Sequence, residues 1–184
     1  MTEKILISTE RMQWLLERLC LLFLERHDKP AEVAVLALQP RGVAFGQAWL
    51  NTLSHLTSGP LPDFGKLDIT FHRDDYRKRD ELSVPSETHI PFPIEGRPLL
   101  LMDDVLYTGR SVRAGLDALL SYGRPTRVEL MVLVERRFSR ELPIEANYVG
   151  ERVDTLSNQK VRVLWEPSPK VVLYSVPTSP HTTL

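Results

Sequence analysis

The sequence predicts an α/β protein with a central, mostly parallel sheet flanked by helices, and three observations carry that expectation. Continuous apolar runs at 33–38 and 99–102, and the strand-length segment 128–134, have the character of strands of a buried sheet. Helix-patterned segments separate them, as parallel strands joined by right-handed crossovers require. The middle run also ends in two adjacent acids and a short polar turn that opens a helix, a layout found where open α/β sheets bind ligands.

The elements follow in order. Ser8 or Thr9 caps a helix running to about Arg26, with Met12, Leu15, Leu16, Leu19 and Phe23 on one apolar stripe. Val33–Leu38 is the first buried strand, followed by a turn and a second helix. Leu67–His72 alternates enough to be a strand, and Arg73–Pro93 is polar and Pro-punctuated, as in a long mobile loop. Leu99–Met102 is the next strand, Ser111–Leu120 its helix, and Val128–Val134 the strand after that. Tyr148, Val161–Leu164 and Val171–Tyr174 belong to shorter strand candidates. Residues 1–176 form a single domain, and the Pro/Ser/Thr-rich residues 177–184 form a disordered tail.

The 184 residues carry a net charge of −1, which does not advertise nucleic-acid binding, although local clustering matters more than the total. Apolar stretches are too short to cross a bilayer and no signal-peptide layout opens the chain, so a cytoplasmic protein with no membrane contact is expected. A single cysteine, Cys20, fits a reducing compartment and sits among leucines as a small core residue.

Chemistry concentrates in Leu99-Leu-Leu-Met-Asp-Asp-Val-Leu-Tyr-Thr-Gly-Arg-Ser111. Successive side chains on a strand point to opposite faces, so at least one of Asp103 and Asp104 faces the crevice at the strand's carboxyl end. Thr108-Gly-Arg-Ser111 offers hydroxyls, a backbone free of Cβ and the unpaired N–H groups of a helix start, which suit a phosphate. Carboxylates for sugar hydroxyls beside a phosphate cradle describe a pocket for a ribose 5-phosphate. Taken singly, the acids could be solvated turn caps and the cradle an ordinary helix N-cap.

This segment resembles the phosphoribosyl pyrophosphate (PRPP) motif of type I phosphoribosyltransferases. Its continuation to Leu119, with Gly123-Arg-Pro125, Arg140-Glu-Leu-Pro-Ile144, Asp68-Ile-Thr-Phe-His-Arg-Asp-Asp75 and Gln39-Pro-Arg-Gly42, resembles the pyrimidine operon attenuation proteins that double as uracil phosphoribosyltransferases. The likeness runs from about Ile5 to Trp165. It implies the type I phosphoribosyltransferase fold, with a flexible lid loop and a small base-binding hood. It also implies formation of UMP and diphosphate from uracil and PRPP, with Mg²⁺ bound mainly through PRPP. Uridine-nucleotide-dependent binding to the mRNA leader of pyrimidine (pyr) operons, and a homodimer or higher homo-oligomer, complete the expectation.

The resemblance assigns roles by residue. Leu99, Leu100, Leu101, Met102, Asp103, Asp104, Val105, Leu106, Tyr107, Thr108, Gly109, Arg110 and Ser111 form the PRPP site. Asp103, Asp104 and Arg41 are the catalytic set, the acids holding the ribose hydroxyls and Arg41 the leaving group. Gly42 permits close approach of backbone to pyrophosphate, and Arg73 and Arg77 close over it from the lid, together with Lys78 and Arg79. Arg136, Tyr148 and Val149 surround the base, Tyr148 as a stacking platform or else a core tyrosine. Arg11, Arg18 and Arg26 on the first helix, with Lys160 and Arg162, are the RNA candidates, although Glu10, Glu17 and Glu25 interleave with them and Leu21 stands where relatives have His. Glu135-Arg-Arg-Phe-Ser139 departs from the family's Asp-Arg-Gly-His beside the base pocket. That departure leaves two alternatives, a phosphoribosyltransferase for another base such as a purine, or a nucleotide-sensing regulator without catalysis.

Overall fold

The computed structural model describes residues 2–73 and 86–175. The lid candidates Arg77, Lys78 and Arg79 and the tail 177–184 lie outside the described residues. Strand β1 is Thr2–Ile7, and helix α1, Thr9–Arg26, is capped by Ser8, whose hydroxyl accepts the Arg11 N–H. The α1 stripe is buried as its spacing requires, Cys20 included. Burial pushes the Cys20 thiol up to about 12, so it packs as an inert apolar group. The fully buried β2, Ala34–Leu38, leads into α2, Arg41–Leu56, and β3, Asp63–Leu67. Then follow β4, Pro98–Leu106, α3, Arg110–Leu119, and β5, Arg127–Arg137. Strands β6, Tyr148–Asp154, β7, Gln159–Leu164, and β8, Lys170–Ser175, complete the set.

Five strands form a parallel sheet in the order β3-β2-β4-β5-β6. The chain leaves β2 towards β3 and later returns to β2's other side as β4, so the topological switch point lies between β2 and β4. One sheet face packs Leu100, Met102, Met131 and Leu133 on α1 and α2. The other packs Leu99, Leu101, Leu130 and Val132 on α3. A separate antiparallel sheet, β1-β8-β7, adds Ile7, Val161, Val171 and Leu173 to the α1/α2 side.

Four elements differ from expectation. The strand expected at 67–72 lies earlier, because β3 pairs with β2 from Ala34↔Asp63 to Leu38↔Leu67. The Asp68 carboxylate then accepts the Thr70 N–H and hydroxyl (3.3 and 2.7 Å) and turns the chain into a single 3₁₀ turn at Thr70–His72. The later part of the expected mobile loop is tied down. His89 exchanges two backbone hydrogen bonds with Lys66 (2.8 and 2.9 Å), and Gln39 Nε2 donates to the Glu87 carbonyl (2.7 Å). Strand β4 continues through the acid pair to Leu106, because pairing with β5 holds it there. Strand β1, unmarked in the sequence reading, is placed by β8 from the far end of the chain.

At the amino ends of β5 and β6, away from the switch point, Glu129 is buried in a polar cluster. Tyr148 donates its hydroxyl hydrogen to Glu129 Oε2 (3.0 Å), and His27 Nε2 lies 2.8 Å from the same oxygen. Arg127 Nη2 is 3.4 Å from His27 Nδ1, so Nδ1 is the acceptor and Nε2–H the donor to Glu129. Burial alone would raise the Glu129 carboxyl, but the hydrogen bonds from His27 and Tyr148 outweigh it and hold it below the ordinary range. A carboxyl depressed in the folded state stabilises the fold above its ordinary value, and that contribution is lost as pH falls through the folded value. Glu129→Gln is expected to cost about 2 kcal/mol at neutral pH. In urea melts across pH, the gap to the parent chain should close below about pH 4; a gap independent of pH would contradict the charged role.

Candidate active site

A cleft of about 580 Å³ opens at the carboxyl ends of β2 and β4, at the switch point. Strand β2 last pairs with β4 at Ala37↔Met102, so Asp103 and Asp104 follow where β2 peels away. Both acids line the cleft although they are only 8% and 5% exposed. Asp103 Oδ1 accepts the Asp104 N–H at 3.0 Å. Burial raises the Asp103 carboxyl well above the ordinary value and the Asp104 charge adds to it, against the pull of that N–H and of Arg41 and Arg73. Burial raises Asp104 as well, with Arg41 the main opposing charge.

Arg41 reaches this wall because the turn after β2, with a cis Gln39–Pro40 peptide, starts α2 at the cleft. Gly42 does not line the cleft, contrary to its expected role against pyrophosphate. A Cβ there would lie 2.6 Å from the Met102 carbonyl oxygen and 3.3 Å from Asp103 Cα, so its bareness lets α2 pack directly on β4 behind the acids.

The opposite wall is Tyr107 to Val112. Gly109 adopts φ +94° and passes the chain into α3, so no N-cap side chain covers the helix start, although the Arg110 N–H lies 3.4 Å from Thr108 Oγ1. Arg73 Nη1 donates to Ser111 Oγ across the cleft at 2.7 Å. The Arg110 guanidinium is bound to Glu141 Oε2 through Nε and Nη2 (2.8 and 2.7 Å), so a group entering beside this loop meets mainly backbone N–H groups and hydroxyls. Leu99, Leu100, Leu101 and Met102 are fully buried and divided between the two cores, so they support the site without touching its contents.

At the base end the structure corrects the sequence reading. Arg136 lines the cleft, its guanidinium 3.8 Å from the centroid of the Tyr107 ring, with Nε donating to Thr155 Oγ1 (2.8 Å) and Nη2 to the Leu156 carbonyl (3.3 Å). Tyr148 is no stacking platform, because its side chain is 3% exposed in the Glu129 cluster. Val149 packs towards the α3-side core and its carbonyl accepts from Arg18 (3.1 Å). Beside Arg136 the cleft is lined by Lys160, Val161 and Arg162 of β7. Gln39, Thr70 and Ser86 also line the cleft and were missed, Gln39 although it lies in a motif block. Of the divergent 135–139 segment only Arg136 faces the cleft; Glu135 pairs with Arg140 and Arg152, and Phe138 is 91% exposed at φ +59°.

The three α1 arginines are brought together along β6 and the adjoining β5, each tied to the sheet. Arg11 pairs with Glu151 (2.7 Å), Arg18 donates to the Val149 and Gly150 carbonyls, and Arg26 lies 3.4 Å from Glu129 and over the Tyr148 ring. Among the described residues no three His, Cys, Asp or Glu converge as metal ligands. Asp103 and Asp104 therefore suit a hydrated divalent cation only if the ligand supplies further oxygens.

A carboxyl raised in the folded state lowers stability as pH climbs from its ordinary value through the raised one. Asp103→Asn is therefore expected to raise the melting temperature of the ligand-free protein at neutral pH, with the gain shrinking towards about pH 4. Scanning calorimetry over that interval checks the sign, and a destabilised variant at neutral pH would refute it.

The phosphoribosyl transferase domain model matches residues 20–164. The chain is 42% identical over 147 residues to the Bifunctional protein PyrR of Desulfosudis oleivorans, covering 80% of this chain and 81% of that one. It is 40% identical over 164 residues to the PyrR of Haemophilus ducreyi (89% and 90%), and 38% identical over 161 residues to that of Elusimicrobium minutum (88% and 89%). Among solved structures, a hypoxanthine phosphoribosyltransferase of Trypanosoma cruzi superposes with a TM-score of 0.71 at 15% identity, covering 94% of this chain and 96% of that one. One from Staphylococcus aureus gives 0.65 at 16% identity, covering 91% and 89%; both are likenesses of fold. With the acid pair and the phosphate-type loop at one switch point, these matches identify the chain as a member of the phosphoribosyltransferase family, in its PyrR group.

Proposed function

We propose that this protein transfers the 5-phosphoribosyl group of PRPP to uracil, giving UMP and diphosphate. The observation that carries this is the pair of buried carboxylates facing a helix-start phosphate loop across one cleft, in a chain of PyrR descent. A nitrogen of the base forms a bond to the anomeric carbon while the bond to the pyrophosphate oxygen breaks. The bonding electrons leave with diphosphate, and the nitrogen's proton goes to solvent.

Positive charge grows on the sugar in such a step, so placement and electrostatics do most of the work. Asp103 and Asp104 accept the ribose hydroxyls and face the developing charge. Gly109 to Ser111 receive the 5-phosphate, and Arg41 and Arg73 stabilise the departing diphosphate. Mg²⁺, bound mainly through PRPP, neutralises phosphate charge when present. Arg136, Lys160 and Arg162 give the base end donors and no carboxylate, which suits the two carbonyl oxygens of uracil. Product formation with PRPP and Mg²⁺, offering uracil, hypoxanthine and guanine separately, should give nucleotide from uracil alone. Turnover of a purine would move the reading to another base, and UMP binding without turnover to a sensor.

A second role as a UMP-dependent RNA-binding regulator is favoured by the word bifunctional in the relatives' name. Arg11, Arg18 and Arg26 would have to leave internal acceptors, or share them, to meet phosphates. If they do, binding to a pyr leader transcript falls steeply with salt and strengthens with UMP. Arg18→Glu should abolish that binding and, by losing the bonds to β6, lower the melting temperature; unchanged RNA affinity would exclude α1 as the contact.

A further inference from the structure

Arg140-Glu-Leu-Pro-Ile144 lies in the β5–β6 connection and contributes nothing to the cleft wall, yet it grips the phosphate loop from behind. A loop that binds an anion through peptide N–H groups must turn them inward. In a trans peptide the C=O points opposite to the N–H, so the same loop turns carbonyls outward, where they need donors.

The structure supplies these one peptide at a time. Arg140 Nη1 donates to the Tyr107 carbonyl, whose peptide carries the Thr108 N–H. The Glu141 and Leu142 N–H groups both donate to the Thr108 carbonyl (3.0 and 3.2 Å), whose peptide carries the Gly109 N–H. Arg140 is itself fixed by Glu135 (2.7 Å), which also accepts from Arg152 (2.9 Å). Ile144 and Leu142 lie 3.3 and 3.4 Å from where a Gly109 Cβ would stand, closing the space behind the loop.

We propose that Arg140 is a positioning residue that, with the backbone N–H groups of Glu141 and Leu142, pre-orients the phosphate loop, so that the Thr108 and Gly109 N–H groups face the cleft before the 5-phosphate arrives. The proposal rests on reading residues 108–111 as the 5-phosphate site. Pre-orientation of this kind affects ligands that carry the phosphate and spares those that lack it.

The test is the affinity of the full chain for UMP and for uridine, measured by calorimetry. Arg140→Ala should weaken UMP about tenfold and leave uridine within about twofold, with Arg140→Lys recovering part of the loss. The KM for PRPP should rise in parallel, with that for uracil nearly unchanged. Equal losses for both ligands, or none for UMP, overturn the proposal. If Arg140→Ala does not fold, Arg140→Lys and Arg140→Gln are read by the same UMP-to-uridine ratio. Ser111→Ala separates the two levels. If it leaves the ratio untouched, the phosphate-site reading itself fails; if it lowers the ratio while Arg140→Ala does not, only the positioning role fails.

Discussion

Two adjacent carboxylates held out of water at the end of the central strand are the constraint around which this molecule is arranged. Asp103 and Asp104 follow each other on β4, so one backbone must carry both into the cleft. Their burial favours the protonated forms, and Arg41 and Arg73 oppose it only in part. The ionised acid pair is therefore disfavoured in the folded protein, by burial first and, at Asp103, by the neighbouring charge. Gly42 lets α2 seat on β4 directly behind the acids, which brings Arg41 to the cleft.

The two ends of the parallel sheet treat buried charge in opposite ways. At the carboxyl end burial outweighs the backbone donors and the opposing charges of Arg41 and Arg73 and holds both carboxyls above the ordinary range, beside a helix start with no N-cap side chain. At the amino end Glu129 is surrounded by His27, Tyr148, Arg26 and Arg127, and its carboxyl is held below the ordinary range. The first arrangement is suited to binding and the second to holding α1 on β5 and β6. The same contrast separates the arginines. Arg41 lines the cleft, whereas Arg11, Arg18 and Arg26 fasten a helix to a sheet edge.

The hood sheet joins distant parts of the chain. Strand β1 pairs with β8, and β8 carries β7, whose Lys160, Val161 and Arg162 close the cleft. Arg136 links that hood to the phosphate wall, bonded to the β6–β7 turn and lying over Tyr107. The two ends of the cleft are thus parts of one bonded assembly. The divergent Phe138 and Ser139 lie outside it, so that departure from the family pattern leaves the cleft wall intact.

What the sequence determined by itself was local. Periodicity marked α1 to its boundaries, apolar runs marked β2 and the start of β4, the largely apolar 128–134 marked β5, and the acid pair with Thr108–Ser111 marked one wall of the cleft, because in each case the signal and its structural cause lie close together in the chain. The register of β3 was misread, since alternation at 67–72 looks the same whether Phe71 is buried or, as here, 69% exposed; pairing with β2 and the Asp68 turn decided it. Tertiary structure alone decided which residues line the Arg136 end of the cleft. Tyr148 and Lys160 are comparable candidates as residue types, but a tyrosine at the start of β6 faces Glu129 and His27, while β7 is carried to the cleft by β8. Side-chain chemistry can be read along the chain, but which end of a sheet a side chain meets depends on partners more than 100 residues away, as His27 and Glu129 are to each other.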